Sequence, residues 1–102
     1  MIKVVIKTDE SSQKITSIEM KGHAGKDVYG KDLVCAAVSA ILTGGFNALD
    51  SKSYDFILKE GHALAKSHNI PSDEDAIVLK TIHTQLETVK EADPEFIKIE
   101  IL

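Results

Sequence analysis

One cysteine and one histidine, twelve positions apart, open a route to nucleophilic catalysis in the stretch GHAGKDVYGKDLVCAAVSA, residues 22–40. The cysteine, Cys35, is the only one in the chain, and His23 is one of four histidines. A thiolate attacks an acyl carbon, while an imidazole within hydrogen-bond reach takes the thiol proton and returns it to a leaving amine. The residues between them allow the two to meet. Residues 24–31 make an eight-residue loop, with Gly22, Gly25 and Gly30 in or beside it.

Asp32 reads as the N-cap of a helix, its carboxylate accepting from a backbone N–H two or three residues ahead. Cys35 then takes the third helical position. There the unpaired amides and the positive end of the helix dipole favour an anion. The ionised sulfur is such an anion, and the same amides suit a developing oxyanion. Ser39 lies one turn further along the same helical face, within reach of the same pocket.

Each residue also has a plainer role. A lone cysteine beside alanines is commonly a small buried apolar residue. A histidine after a strand is commonly a turn residue, Asp32 serves as a cap without doing chemistry, and Ser39 suits helix packing. Gly22, Gly25 and Gly30 serve turns. Spacing alone leaves three chemical readings open beside these: a cysteine hydrolase, a redox-sensing thiol, and a non-catalytic binding module.

The elements that must hold these groups follow from periodicity. Residues 2–7, IKVVIK, alternate, with Ile2, Val4 and Ile6 on one face and Lys3 and Lys7 on the other, as in a half-buried strand. Residues 15–21 form a second strand with Ile18 and Met20 inward, paired to the first as a hairpin. Val34, Val38, Ile41, Gly45 and Ala48 recur at helical spacing, so a helix is expected from Asp32 to about Leu49, running through Gly44 and Gly45. Residues 53–59 and 62–68 are strand candidates joined by a tight turn at Glu60-Gly61. Ser72 caps a second helix whose apolar positions are Leu79, Ile82, Leu86 and Val89, closed by Asp93-Pro94. FIKIEIL ends the chain as a strand with Ile97, Ile99 and Ile101 on one side. The expected fold is a two-layer α+β domain over residues 1–102, order ββαββαβ, with two helices on a five-stranded antiparallel or mixed sheet.

Composition narrows the function. The chain has 102 residues, 43% hydrophobic and 27% charged, the balance of one soluble domain with a modest core. No apolar run reaches the roughly 18 residues of a membrane span, so no membrane partner is expected. MIKVVIKTDE is too short and too alternating for a secretory signal, and a cytoplasmic location is the default expectation. One cysteine makes no internal disulfide, and His62, His68 and His83 are scattered without metal-ligand spacing. Neither a metal nor a cofactor is expected. A net charge of −4 argues against nucleic acid as the principal ligand, although a local basic patch stays open.

The motif itself resembles the signature of the ribosomal-processing cysteine protease family of small bacterial proteins. That signature is Gly-His-Ala, a glycine-containing loop, then Gly-x-Asp-[hydrophobic]-Val-Cys-Ala-Ala-Val-Ser. Here Gly22, His23 and Ala24 match its first part, and Gly30, Asp32, Leu33, Val34, Cys35, Ala36, Ala37, Val38 and Ser39 its second. The resemblance implies a Cys/His dyad peptidase with Cys35 as nucleophile and His23 as general base and acid. Asp32, Ser39, Gly22 and Gly30 would support the site or bind substrate. It further implies a peptide substrate, the N-terminal extension of a large-subunit ribosomal protein, the bacterial protein L-twenty-seven. A mobile loop 24–31 and a homodimer belong to the same set of expectations.

Overall fold

The computed structural model describes residues 1–23 and 31–102, with the side chains of residues 31 and 32 excepted. The elements are β1 (Ile2–Thr8), β2 (Ile15–Lys21), α1 (Lys31–Asn47), β3 (Tyr54–Lys59), β4 (His62–Ser67), α2 (Asp73–Ala92) and β5 (Ile97–Ile101). The expected ββαββαβ order therefore holds. The strands join in one sheet, ordered β3-β4-β2-β1-β5. Only the β1–β5 pair is parallel, which makes the sheet mixed. Crossing over through α2 returns the chain beside β1 in the same direction, as a parallel neighbour requires.

Alternation in the strands sets the layers. Ile2, Val4 and Ile6 of β1 are buried, as are Ile18 and Met20 of β2 and Ala63 and Ala65 of β4. A register shift beside Lys7 and Thr8 brings Ile15 opposite Thr8, on the core side. Against this face pack Val34, Val38, Leu42 and Phe46 of α1, and Leu79, Ile82 and Leu86 of α2.

The buried line of α1 departs from the expected one. After Val38 it continues through Leu42 and Phe46 rather than Ile41, Gly45 and Ala48, and Ala48 is exposed. The helix has two neighbours, the sheet beneath and α2 beside it, so its apolar arc is wider than one stripe. Gly45 belongs to the α2 side, where a Cβ would run into the side chain of Ile82. Both glycines lie inside α1, as expected, but the helix stops at Asn47, two residues short of Leu49. α2 starts as read: Ser72 Oγ accepts from the Asp75 amide at 3.1 Å.

Asp75 is buried and receives the hydroxyl of Tyr54 at 3.0 Å. Burial first, and this carboxylate second, push the Tyr54 hydroxyl well above its ordinary range. Tyr54→Phe removes a donor from a buried carboxylate and should destabilise the fold by about 1–3 kcal/mol, read from urea unfolding midpoints.

Among the described residues, four carboxylates are held below their ordinary values by hydrogen bonds. Asp9 accepts from Ser12, Glu19 from His62, Asp50 from Ser53 and Asp73 from Lys14. A lowered folded value means that stabilisation is complete above the unfolded values, 3.8 for Asp and 4.5 for Glu, and is lost as pH falls through the folded ones. The melting temperature should therefore fall on acidification below about pH 4.5, followed by circular dichroism. A flat profile down to about pH 3 would contradict this.

Candidate active site

Helical spacing puts Cys35, Val38, Ser39 and Leu42 on one side of α1. These four line a cleft of about 400 Å³ between α1 and one end of the sheet. Across it stand Leu58 and Gly61 of the β3–β4 hairpin, with Ile2, Met20 and Gly22 at its sheet end. Its lining is mostly apolar, while Ser39, Thr43, Lys59 and Glu60 bring polar groups to it. This size and character suit a side chain of an extended peptide.

Cys35 is half-buried and borders the cleft. The plain reading of a sulfur sealed in the core therefore does not describe it. Ser39 is exposed on the same helical face and lines the same cleft, as expected. The start of α1 differs from the reading. The helix begins at Lys31, which places Asp32 inside the first turn and Cys35 fifth rather than third. An acidic residue in the first turn still complements the helix dipole. The Asp32 side chain, Gly25, Gly30 and the loop 24–30 lie outside the described residues.

His23 follows β2 by two residues and is exposed. Its carbonyl accepts from the Met1 amino group at 3.1 Å. Its ring lies over Gly61: a Cβ at position 61 would sit 2.5 Å from Nε2 and 2.6 Å from Cε1. Gly61 has φ +76°, and its carbonyl accepts from the Gly22 N–H at 3.0 Å. A side chain at Gly22, φ +109°, would meet the Met1 carbonyl oxygen. Both glycines line the cleft, and only glycine allows their backbone angles together with these close approaches. The sulfur borders the cleft from the helix side, and the ring rests on a residue that lines it from the sheet side.

Gly61 was legible in sequence only as a turn. Its contact with His23 arises because β2 and β4 are neighbours, with Lys21 opposite His62. Leu58 and Thr43 were likewise missed, since neither carries a chemical signal of its own. The other histidines are occupied elsewhere: His62 with Glu19 at 2.7 Å, His68 with Asp55 at 2.9 Å, His83 with Glu87 at 3.3 Å. Among the described residues no three His, Cys, Asp or Glu side chains cluster as metal ligands would.

Known proteins share this fold. The family model of the cysteine protease Prp matches residues 1–98. The ribosomal processing cysteine protease Prp of Staphylococcus aureus is 36% identical over 104 residues, covering 97% of each chain. The protein of the same name from Bacillus subtilis is 51% identical over 35 residues, 34% of this chain and 31% of that one. Crystal structures of the S. aureus protease superpose over the full length of both chains. With a substrate peptide the TM-score is 0.88 at 33% identity, and with a covalently linked product peptide 0.86 at 34%. On the family match and on these relatives, this chain is a cysteine peptidase and belongs to the Prp family of ribosomal-processing proteases.

Proposed function

We propose that this peptidase trims the N-terminal extension of a large-subunit ribosomal protein, the bacterial protein L-twenty-seven, through Cys35 and His23. One observation carries the reading: the chain's only cysteine borders the cleft, and the His23 ring rests on Gly61 at the rim of that cleft. A product peptide linked covalently to the S. aureus relative supports a covalent route.

His23 takes the proton of the Cys35 thiol. The sulfur attacks the scissile carbonyl carbon, and amides near the start of α1 receive the developing oxyanion. As the C–N bond breaks, the imidazolium gives its proton to the departing amine. Water then loses a proton to His23 and attacks the thioester, which frees the carboxylate product and returns the sulfur. Asp32, Ser39, Gly22 and Gly30 support the site, Ser39 and Gly22 from within the lining of the cleft. A flexible, unfolded extension enters so open a cleft more readily than a folded segment. The peptidase acts in the cytoplasm, as a homodimer.

The test is direct. Incubation with the organism's own extended L-twenty-seven protein should produce one defined N-terminal trim by mass spectrometry, and iodoacetamide treatment should abolish it. An untrimmed protein, or trimming that survives alkylation of Cys35, would refute the assignment.

A further inference from the structure

The sheet face turned away from the helices carries a row of basic side chains. Cross-strand register sets Lys59, His62, Lys21, Lys3 and Lys98 side by side across all five strands. Lys66 and Lys7 flank Ser17 on the same face, further along the strands. All six lysines are exposed, half of the chain's twelve basic residues. Among the described strand residues, the carboxylates on this face are Glu19, Glu100 and Asp55. Glu19 is engaged by His62 and Lys21, and Asp55 by His68. Among the described residues, Lys3, Lys7, Lys59, Lys66 and Lys98 enter no ion pair.

Like charges directly opposite each other weaken a sheet, and an ordinary solvent face intersperses the two signs. A polyanion would relieve this repulsion. The basic row crosses four strand spacings of about 4.8 Å, or roughly 19 Å in all. Between the lysines lie Val5, Leu64 and Ile57, half-buried, and among the described residues of this face no Phe or Tyr on which a base could stack, while the His62 ring is held by Glu19. A second copy presenting the same face would be repelled.

We infer that this face binds the phosphate backbone of structured RNA, held by charge and without base readout. The inference deepens the proposed processing of a ribosomal protein and rests on it. Lys21 precedes Gly22, His62 follows Gly61, and Lys59 itself lines the cleft, so the basic row adjoins the cleft. RNA docked there would bring a protein tail emerging from it alongside Cys35.

The test compares two triple variants of equal charge change: Lys3→Gln/Lys66→Gln/Lys98→Gln on the sheet face, and Lys52→Gln/Lys80→Gln/Lys90→Gln elsewhere. Fluorescence anisotropy would follow binding of a labelled RNA duplex and of poly-glutamate over a salt series. The parent should bind the duplex at low salt, and the sheet-face variant should lose roughly tenfold or more in affinity, with a salt slope shallower by about 2–3. The control variant should bind as the parent does, and both variants should cleave a substrate peptide normally. No duplex binding at low salt, equal losses in the two variants, or equally tight poly-glutamate binding would each overturn the inference. A parent that binds duplex but cleaves no peptide would instead refute the proposed function.

Discussion

Cys35→Ala should abolish cleavage while the protein stays folded. The chain holds no second thiol to substitute for it, so the expected loss is at least about 10⁴-fold in kcat. Folding should be little affected. Cys35 only partly packs against the core cluster, and removing one sulfur from a half-buried position opens little cavity, about 1 kcal/mol or less by comparison with larger core truncations. Cys35→Ser is the sharper version, because it keeps shape and polarity but supplies a hydroxyl that a lone imidazole activates far less readily than a thiol. Activity assays beside thermal melts would separate chemistry from stability. Full processing by either variant would remove Cys35 from the mechanism.

The second large effect is expected at His23 and at the glycine beneath its ring. His23→Ala should lower kcat by about 10²–10⁴-fold, the usual contribution of a positioned acid-base group. Gly61→Ala should reproduce part of this loss without touching the imidazole chemically. Its new Cβ would fall 2.5 Å from His23 Nε2, so the ring must move. At φ +76° the alanine is also strained, which should cost about 1 kcal/mol of stability. The double variant separates the two consequences. If Gly61 acts on the reaction only through His23, Gly61→Ala in a His23→Ala background should lower kcat no further. An additive loss in kcat would mean that Gly61 serves the cleft independently of the ring.

Much of the molecule was legible because its signals are local. Ile2, Val4 and Ile6 alternate with Lys3 and Val5, and a period of two is a property of the strand itself. Ser72 and the acids after it mark the α2 start, where the unpaired amides are close in sequence to the residues that satisfy them. The α1 stripe was only half legible. Val34 and Val38 suffice to show a helix, but Ile41 and Leu42 are equally apolar, and choosing between them requires knowing that α2 lies beside α1.

The candidate site divides along the same line. The types and order of Gly22, His23, Cys35 and Ser39 could be read as chemistry directly from the chain, and so could the family they suggest. That the His23 ring rests on Gly61 could not, because thirty-eight residues separate them and only the pairing of β2 with β4 brings them together. The lysines follow the same rule. Lys3, Lys21, Lys59 and Lys98 are isolated charges in an acidic chain, and a net charge of −4 conceals them. Sequence by itself determined the inward faces of β1, β2 and α2, since side-chain alternation and capping act over a few residues, but not that Phe56, Leu58 and Ile101 would stay exposed at the sheet's edges. Tertiary structure decided which distant segments became neighbours, and hence the mouth of the cleft and the basic row, because strand register is set by the packing of the whole sheet.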